Sequence, residues 1–162
     1  MSFVRFYRYL DKLVIPTVVQ AEEGFYMDVD PVTVCDISET ETVRDRLFKA
    51  LVQTNEVVPT PAPTDEPGSA ILEKLRLRKW RKFEAEAVMF NIYLNENGIE
   101  YYSTGAAVNG EWKMRSGKHI NLPADTQHSR IVDIIVQELS EPKVDDAAKP
   151  GGLMLLPPPA DD

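Results

Sequence analysis

The feature that most constrains this chain is a change of hydrophobic period near residue 38. Before it, residues 3–10 alternate aromatic or aliphatic side chains with arginine. Residues 13–19 form a second β-type run, and residues 25–37 a third, rich in Val, Tyr and Thr. A period of two places alternate side chains on opposite faces, which is the pattern of strands. After it, Val43, Leu47, Ala50 and Leu51 recur at the spacing that makes one apolar helical stripe. Ser38 followed by Glu41 matches a capping box, and Glu39 and Glu41 sit where the helix dipole favours acids. The spacing therefore predicts a helix over 39–53. Pro16 removes a ladder donor from the second run, which predicts an edge or bulged strand. Pro31 predicts a break or bend in the third.

Residues 56–68 contain Pro59, Pro61, Pro63 and Pro67, which predicts an extended connector without regular structure, a long loop inside one domain. Ser69 is placed to cap a short helix over 70–75. A basic segment follows over 74–82, with Trp80 and Phe83 interleaved. Residues 87–94 read as a strand. Asn97-Gly98 and Asn109-Gly110 each stand before a further β-type run, a strong hairpin signal. This predicts a meander of three antiparallel strands, with a fourth near 118–122. Ile131, Ile134, Ile135 and Leu139 make the buried stripe of a second helix over 125–139, capped by Asp125 or Thr126 and stopped by Pro142. Strand and helix segments are segregated along the chain. The fold class is accordingly α+β, with a mainly antiparallel sheet and two principal amphipathic helices.

At 162 residues the chain suits one domain, assigned to 1–142, with residues 143–162 read as a disordered tail. Burial of Val144 and the Leu153-Met154-Leu155-Leu156 run would contribute about 1.5–3 kcal/mol per side chain. Ordering the residues around them costs roughly 1–2 kcal/mol each, so a chain ending at Pro142 is expected to keep its unfolding temperature. The single cysteine, Cys35, excludes an intrachain disulfide and fits a reducing compartment. No signal-peptide core and no apolar run of about 20 residues is present, which points to the cytoplasm and away from the membrane. The net charge of −8 argues against nucleic acid and for a basic protein partner.

Catalytic chemistry finds little support. There is no phosphate-binding glycine loop, nucleophile elbow, dinucleotide fingerprint or paired-histidine metal motif. His119 and His128, with one cysteine, do not supply a zinc set. Cys35 lies in a β-type run where a small core residue is expected. Asp28 and Asp30 would share one strand face, and Pro31 stands where a calcium loop would need other residues. A small hydrolase using Asp28, Asp30 or His119 is one alternative. A nucleic-acid adaptor using Lys74, Arg76, Arg78, Lys79, Arg81 and Lys82 is another. Against the adaptor, those cations read as a solvated helix face with Trp80 and Phe83 turned to the core.

The run from Leu75 to Phe83, Leu-Arg-Leu-Arg-Lys-Trp-Arg-Lys-Phe, precedes a strand, a hairpin and a closing amphipathic helix. Over about 70–140 this pattern resembles immunity proteins of bacterial contact-dependent growth inhibition systems. The resemblance implies a non-catalytic, cofactor-free protein that binds and neutralises a cognate toxin, often a nuclease. It carries over no site residues. From the charge pattern alone, Glu22, Glu23, Asp28, Asp30 and Asp36 are the expected partner-binding face.

Overall fold

The computed structural model describes residues 1–63, 68–105, 107, 111, 112 and 114–141. Its elements in chain order are β1 (Ser2–Tyr9), β2 (Lys12–Ala21), β3 (Tyr26–Asp36), α1 (Thr40–Val52), β4 (Val57–Val58), α2 (Ser69–Leu75), α3 (Trp80–Glu86), β5 (Ala87–Asn95), β6 (Gly98–Thr104), β7 (Met114–Leu122) and α4 (His128–Ser140). The strands form one seven-stranded sheet in the order β3-β2-β1-β5-β6-β7, with β4 added beside β2. All pairings are antiparallel except β2–β4. The α+β class and the mainly antiparallel sheet follow as the sequence predicts. Among the described residues no helix is long and apolar enough to cross a membrane.

Alternation in β1 organises the core. Val4 and Phe6 point into one cluster with Leu47 and Leu51 of α1 and Ile131, Ile135 and Leu139 of α4. Tyr7 and Tyr9 point the other way, into a cluster with Ile71 of α2 and Phe83 of α3. Helices thus lie on both faces of the sheet, so β1 carries buried residues on both sides. In α1 the buried residues are Val43, Leu47 and Leu51, spaced four apart as the stripe requires. Full burial of each stabilises the helix against the sheet by about 1.5–3 kcal/mol. Ala50 and Ile134, expected in the stripes, are only partly buried.

Several local expectations are corrected. The predicted capping box does not form: the residue before α1 is Glu39 and makes no side-chain cap. Ser38 instead gives both its backbone N–H and its hydroxyl to Asp36 Oδ1, at 2.9 and 2.7 Å. The nearer acceptor captures the hydroxyl. Ser69 likewise makes no cap, since it is already helical. The second helix begins at His128 and is preceded by Gln127, so neither Asp125 nor Thr126 caps it. The anticipated hairpin after β5 is present, but its turn is Glu96-Asn97. Gly98 opens β6 opposite Asn95, where a Cβ would stand 2.9 Å from the Leu122 carbonyl oxygen. The expected strands at 111–114 and 118–122 are replaced by the single strand β7. The Asn109-Gly110 turn and the tail 143–162 lie outside the described residues.

The prolines reshape the first half of the sheet. β2 is bulged, as Pro16 predicts, but it is not at an edge, because β1 and β3 flank it. The ladder to β3 shifts between Ile15↔Thr33 and Thr17↔Val29, so Pro16 faces the stretch that holds Pro31. Two residues without an N–H donor are thereby placed opposite each other, and β3 continues through Asp36 without breaking. Past this point the β1–β2 ladder ends at Tyr7↔Val14. Asn55 bridges the split: it accepts from Phe3 N–H at 2.7 Å and donates to the Phe3 and Val18 carbonyls at 2.8 and 3.0 Å. The connector beyond it is also not wholly irregular, since Val57–Val58 pairs in parallel with Gln20 and Ala21. The two residues that form it precede the first proline and keep their donors.

Candidate functional site

The turn between β2 and β3 carries the most exposed acidic pair expected from the sequence. Glu22 and Glu23 are both exposed there. The turn closes through Ala21 N–H to the Phe25 carbonyl at 2.8 Å and Gly24 N–H to the Ala21 carbonyl at 2.7 Å. Gly24 has φ +96°, a conformation that side-chain-bearing residues rarely adopt. The connector anchors this turn from outside: Glu22 N–H donates to the Val58 carbonyl at 3.0 Å and Glu23 N–H to Thr60 Oγ1 at 3.3 Å. The two carboxylates therefore project from a backbone held on both sides.

The other three expected carboxylates are not gathered around them. Asp30 is exposed, at the bulge. Asp36 closes the far end of β3, roughly 30 Å from the turn by strand rise. It is held by Ser38 and by Lys12 Nζ at 2.9 Å. The hydroxyl and N–H of Ser38, then Lys12, keep its pKa well below the usual carboxylate range. Asp28 departs most from expectation. Its side chain is only 5% exposed, whereas Asp30 is exposed, so the two do not form one solvated acidic patch.

Asp28 belongs to a polar cluster on the sheet face beside α3. It accepts a short hydrogen bond from the Tyr7 hydroxyl and one from Arg5 Nη1 at 3.2 Å. Arg5 Nε donates in turn to Asn91 Oδ1 at 3.2 Å. Burial pushes the Asp28 carboxyl up, and Arg5 opposes that push. Burial, followed by the nearby Asp28 charge, raises the Tyr7 hydroxyl well above its usual value. Around the cluster the rings of Tyr26, Phe3 and Tyr93 follow one another at 4.5 Å, and Tyr102 lies 6.1 Å beyond Tyr93. Arg5 stacks over Phe3 at 5.0 Å. The arrangement pins β3 to β1 and β5. A carboxylate already accepting from a phenol and a guanidinium is a poor general base.

His119 stands on β7 with its ring against Tyr102, and its Nε2 is 2.8 Å from Glu100 Oε1. His119 on β7 and Asp28 on β3 lie on opposite edge strands of the sheet, five strand spacings or roughly 24 Å apart, so they do not converge. His128 opens α4 and packs edge-on against Phe48. Cys35 is buried in the core, as expected, and burial pushes its thiol up. Among the described residues no three His, Cys, Asp or Glu side chains gather as metal ligands would.

Sequence reading missed Arg5, Tyr7 and Asn91, and also Glu138, whose buried carboxylate accepts from the Tyr101 and Ser103 hydroxyls. A signal existed for two of them. Arg5 interrupts the apolar row Phe3, Tyr7, Tyr9, and Glu138 falls within the stripe of Ile131 and Ile135. A charge in a buried row requires a partner. The basic segment keeps the exposure the sequence suggests but is not one helix face, because Arg76, Arg78 and Lys79 lie between α2 and α3. Phe83 is fully buried and Trp80 packs on it at 4.8 Å, while Lys74, Arg76, Arg78, Lys79, Arg81 and Lys82 are exposed.

No family model and no curated protein matches this chain in sequence. Solved structures do share the fold. A protein of unknown function from Neisseria meningitidis superposes with a TM-score of 0.57 at 13% identity, covering 85% of this chain and 92% of that one. A chain of the CdiA-CT/CdiI toxin and immunity complex from Yersinia pseudotuberculosis superposes with a TM-score of 0.56 at 11% identity, covering 86% and 94%. The chain is thus similar in fold, at low identity, to a component of a toxin–immunity complex.

Proposed function

We propose that this chain is an immunity-type inhibitor, a non-catalytic cytoplasmic protein of a bacterial cell that binds and neutralises a cognate toxin domain. The observation that carries this reading is the fold likeness to a chain of a toxin and immunity complex, which runs through nearly the whole of both chains. The state of the charged groups supports it. Asp28 and Asp36 are held by internal donors, whereas Glu22, Glu23 and Asp30 face solvent. Exposed acids on a braced turn suit recognition of a basic partner surface, such as that of a nuclease, and steer its approach.

The test is a pull-down and a growth assay with the protein encoded immediately upstream. Binding, together with protection of cells from that neighbour's toxicity, is the expected result. Absence of both binding and protection refutes the reading. The double variant E22K/E23K is expected to slow association by about tenfold at low salt with unchanged unfolding temperature, since rim charges act mainly on the on-rate.

A further inference from the structure

The α2–α3 region concentrates positive charge in a way nothing described so far uses. Lys74, Arg76, Arg78, Lys79, Arg81 and Lys82 are all exposed, and none of them forms an ion pair among the described residues. Several cations elsewhere are engaged. Lys12, Arg44, Lys49 and Lys118 each hold a carboxylate, and Arg8 donates to the Leu139 and Glu141 carbonyls. Taking the 6 cations over 74–82 from the 18 basic residues leaves 12 against 26 acidic ones, a formal −14 for all other charged residues together.

The scaffold beneath the patch is rigid. Phe83 is fully buried, and Trp80 lies across Gly68 so closely that a Cβ there would stand 2.3 Å from the ring. One of the cations also occupies a costly backbone position. Arg76 ends α2 in the left-handed region, at φ 56°, and Leu77 N–H closes back on the Leu72 carbonyl at 2.8 Å. Glycine is the favoured residue at such a helix end, because a side chain there loses stability. A guanidinium kept at that position adds to the patch what glycine could not.

We infer that this face is a docking surface for an acidic patch on a partner protein. Charge complementarity sets the occupant's sign. The extent of the patch sets its class: Lys74 near the end of α2, Arg76, Arg78 and Lys79 in the link that follows, and Arg81 and Lys82 in the first turn of α3 gather within a short stretch flanked by helices of 7 residues, each about 10 Å long. A compact acidic surface fits that footprint. An extended polyphosphate would run past it into the field of a chain whose net charge is −8. The surface is separate from the acidic β2–β3 turn, and its occupation does not depend on the toxin reading.

The test measures fluorescence anisotropy of the full chain with a labelled oligo-glutamate peptide and, separately, a single-stranded oligonucleotide of matched charge. Salt-sensitive binding of the peptide is expected, weakened at least about tenfold by K79E/R81E with unchanged unfolding temperature. Arg76→Gly is expected to weaken the peptide while leaving the unfolding temperature equal or higher, an outcome a purely structural arginine would not give. Absence of peptide binding at low salt, binding indifferent to these variants, or tighter binding of the oligonucleotide would each overturn the inference. None of these outcomes bears on protection from a toxin.

Discussion

Asn55→Ala tests how the split between β1 and β2 is held. Asn55 is half-buried and makes three hydrogen bonds to the backbone of two strands, at 2.7, 2.8 and 3.0 Å. Each is worth about 1 kcal/mol net, so their loss costs about 3 kcal/mol. For a chain of this size that lowers the unfolding temperature by about 6–12 °C. The crevice lined by Phe3, Pro16, Val18 and Asn55 holds only ≈ 20 Å³, space for roughly one water. A water entering the vacated space can restore at most part of the bonding, which sets a lower limit of about 2 °C. Asn55→Asp is the control. It keeps the acceptor for Phe3 N–H but turns a carboxylate oxygen toward the Phe3 and Val18 carbonyls, and should destabilise at least as much. Thermal unfolding followed by circular dichroism measures both. An Asn55→Ala shift under about 2 °C, or an Asn55→Asp variant as stable as the parent, would refute the view that these hydrogen bonds close the split.

Two further outcomes follow from burial and charge. Leu47→Ala should cost about 2–5 kcal/mol in denaturant titration, because Leu47 is 1% exposed in the main core, whereas the neighbouring Phe48, 45% exposed, should lose far less on truncation. Asp36→Asn should be less stable than the parent at neutral pH, with the difference shrinking as pH falls below about 4. The sign follows from the depressed pKa of Asp36, which its Ser38 and Lys12 bonds cause: its contribution is present above the unfolded pKa and is lost as the folded carboxylate protonates. A gap that stays constant through the acid range would show that those bonds do not stabilise the charged form.

Local physics made much of the architecture legible in the sequence. The period of two in the first 37 residues and the helical stripes of α1 and α4 follow from where side chains must point, and they fixed the α+β class. Cys35 in the core and Phe83 beneath a basic segment followed in the same way. Tertiary structure decided the rest. β1 pairs along its whole length with β5, so that Tyr9 meets Ala87, and no local pattern specifies that partner. Only that pairing brings Arg5 to Asn91, 86 residues away, and the same strand packing brings Tyr7 to Asp28. An acid read as part of an exposed face thereby became an interior pin. Arg81 and Lys82 of α3, with Arg78 and Lys79 just before it, stay exposed while Phe83 is buried. Side-chain direction is a property of the element, but the environment it points into depends on which distant strand lies alongside, and that is settled by packing across the whole sheet.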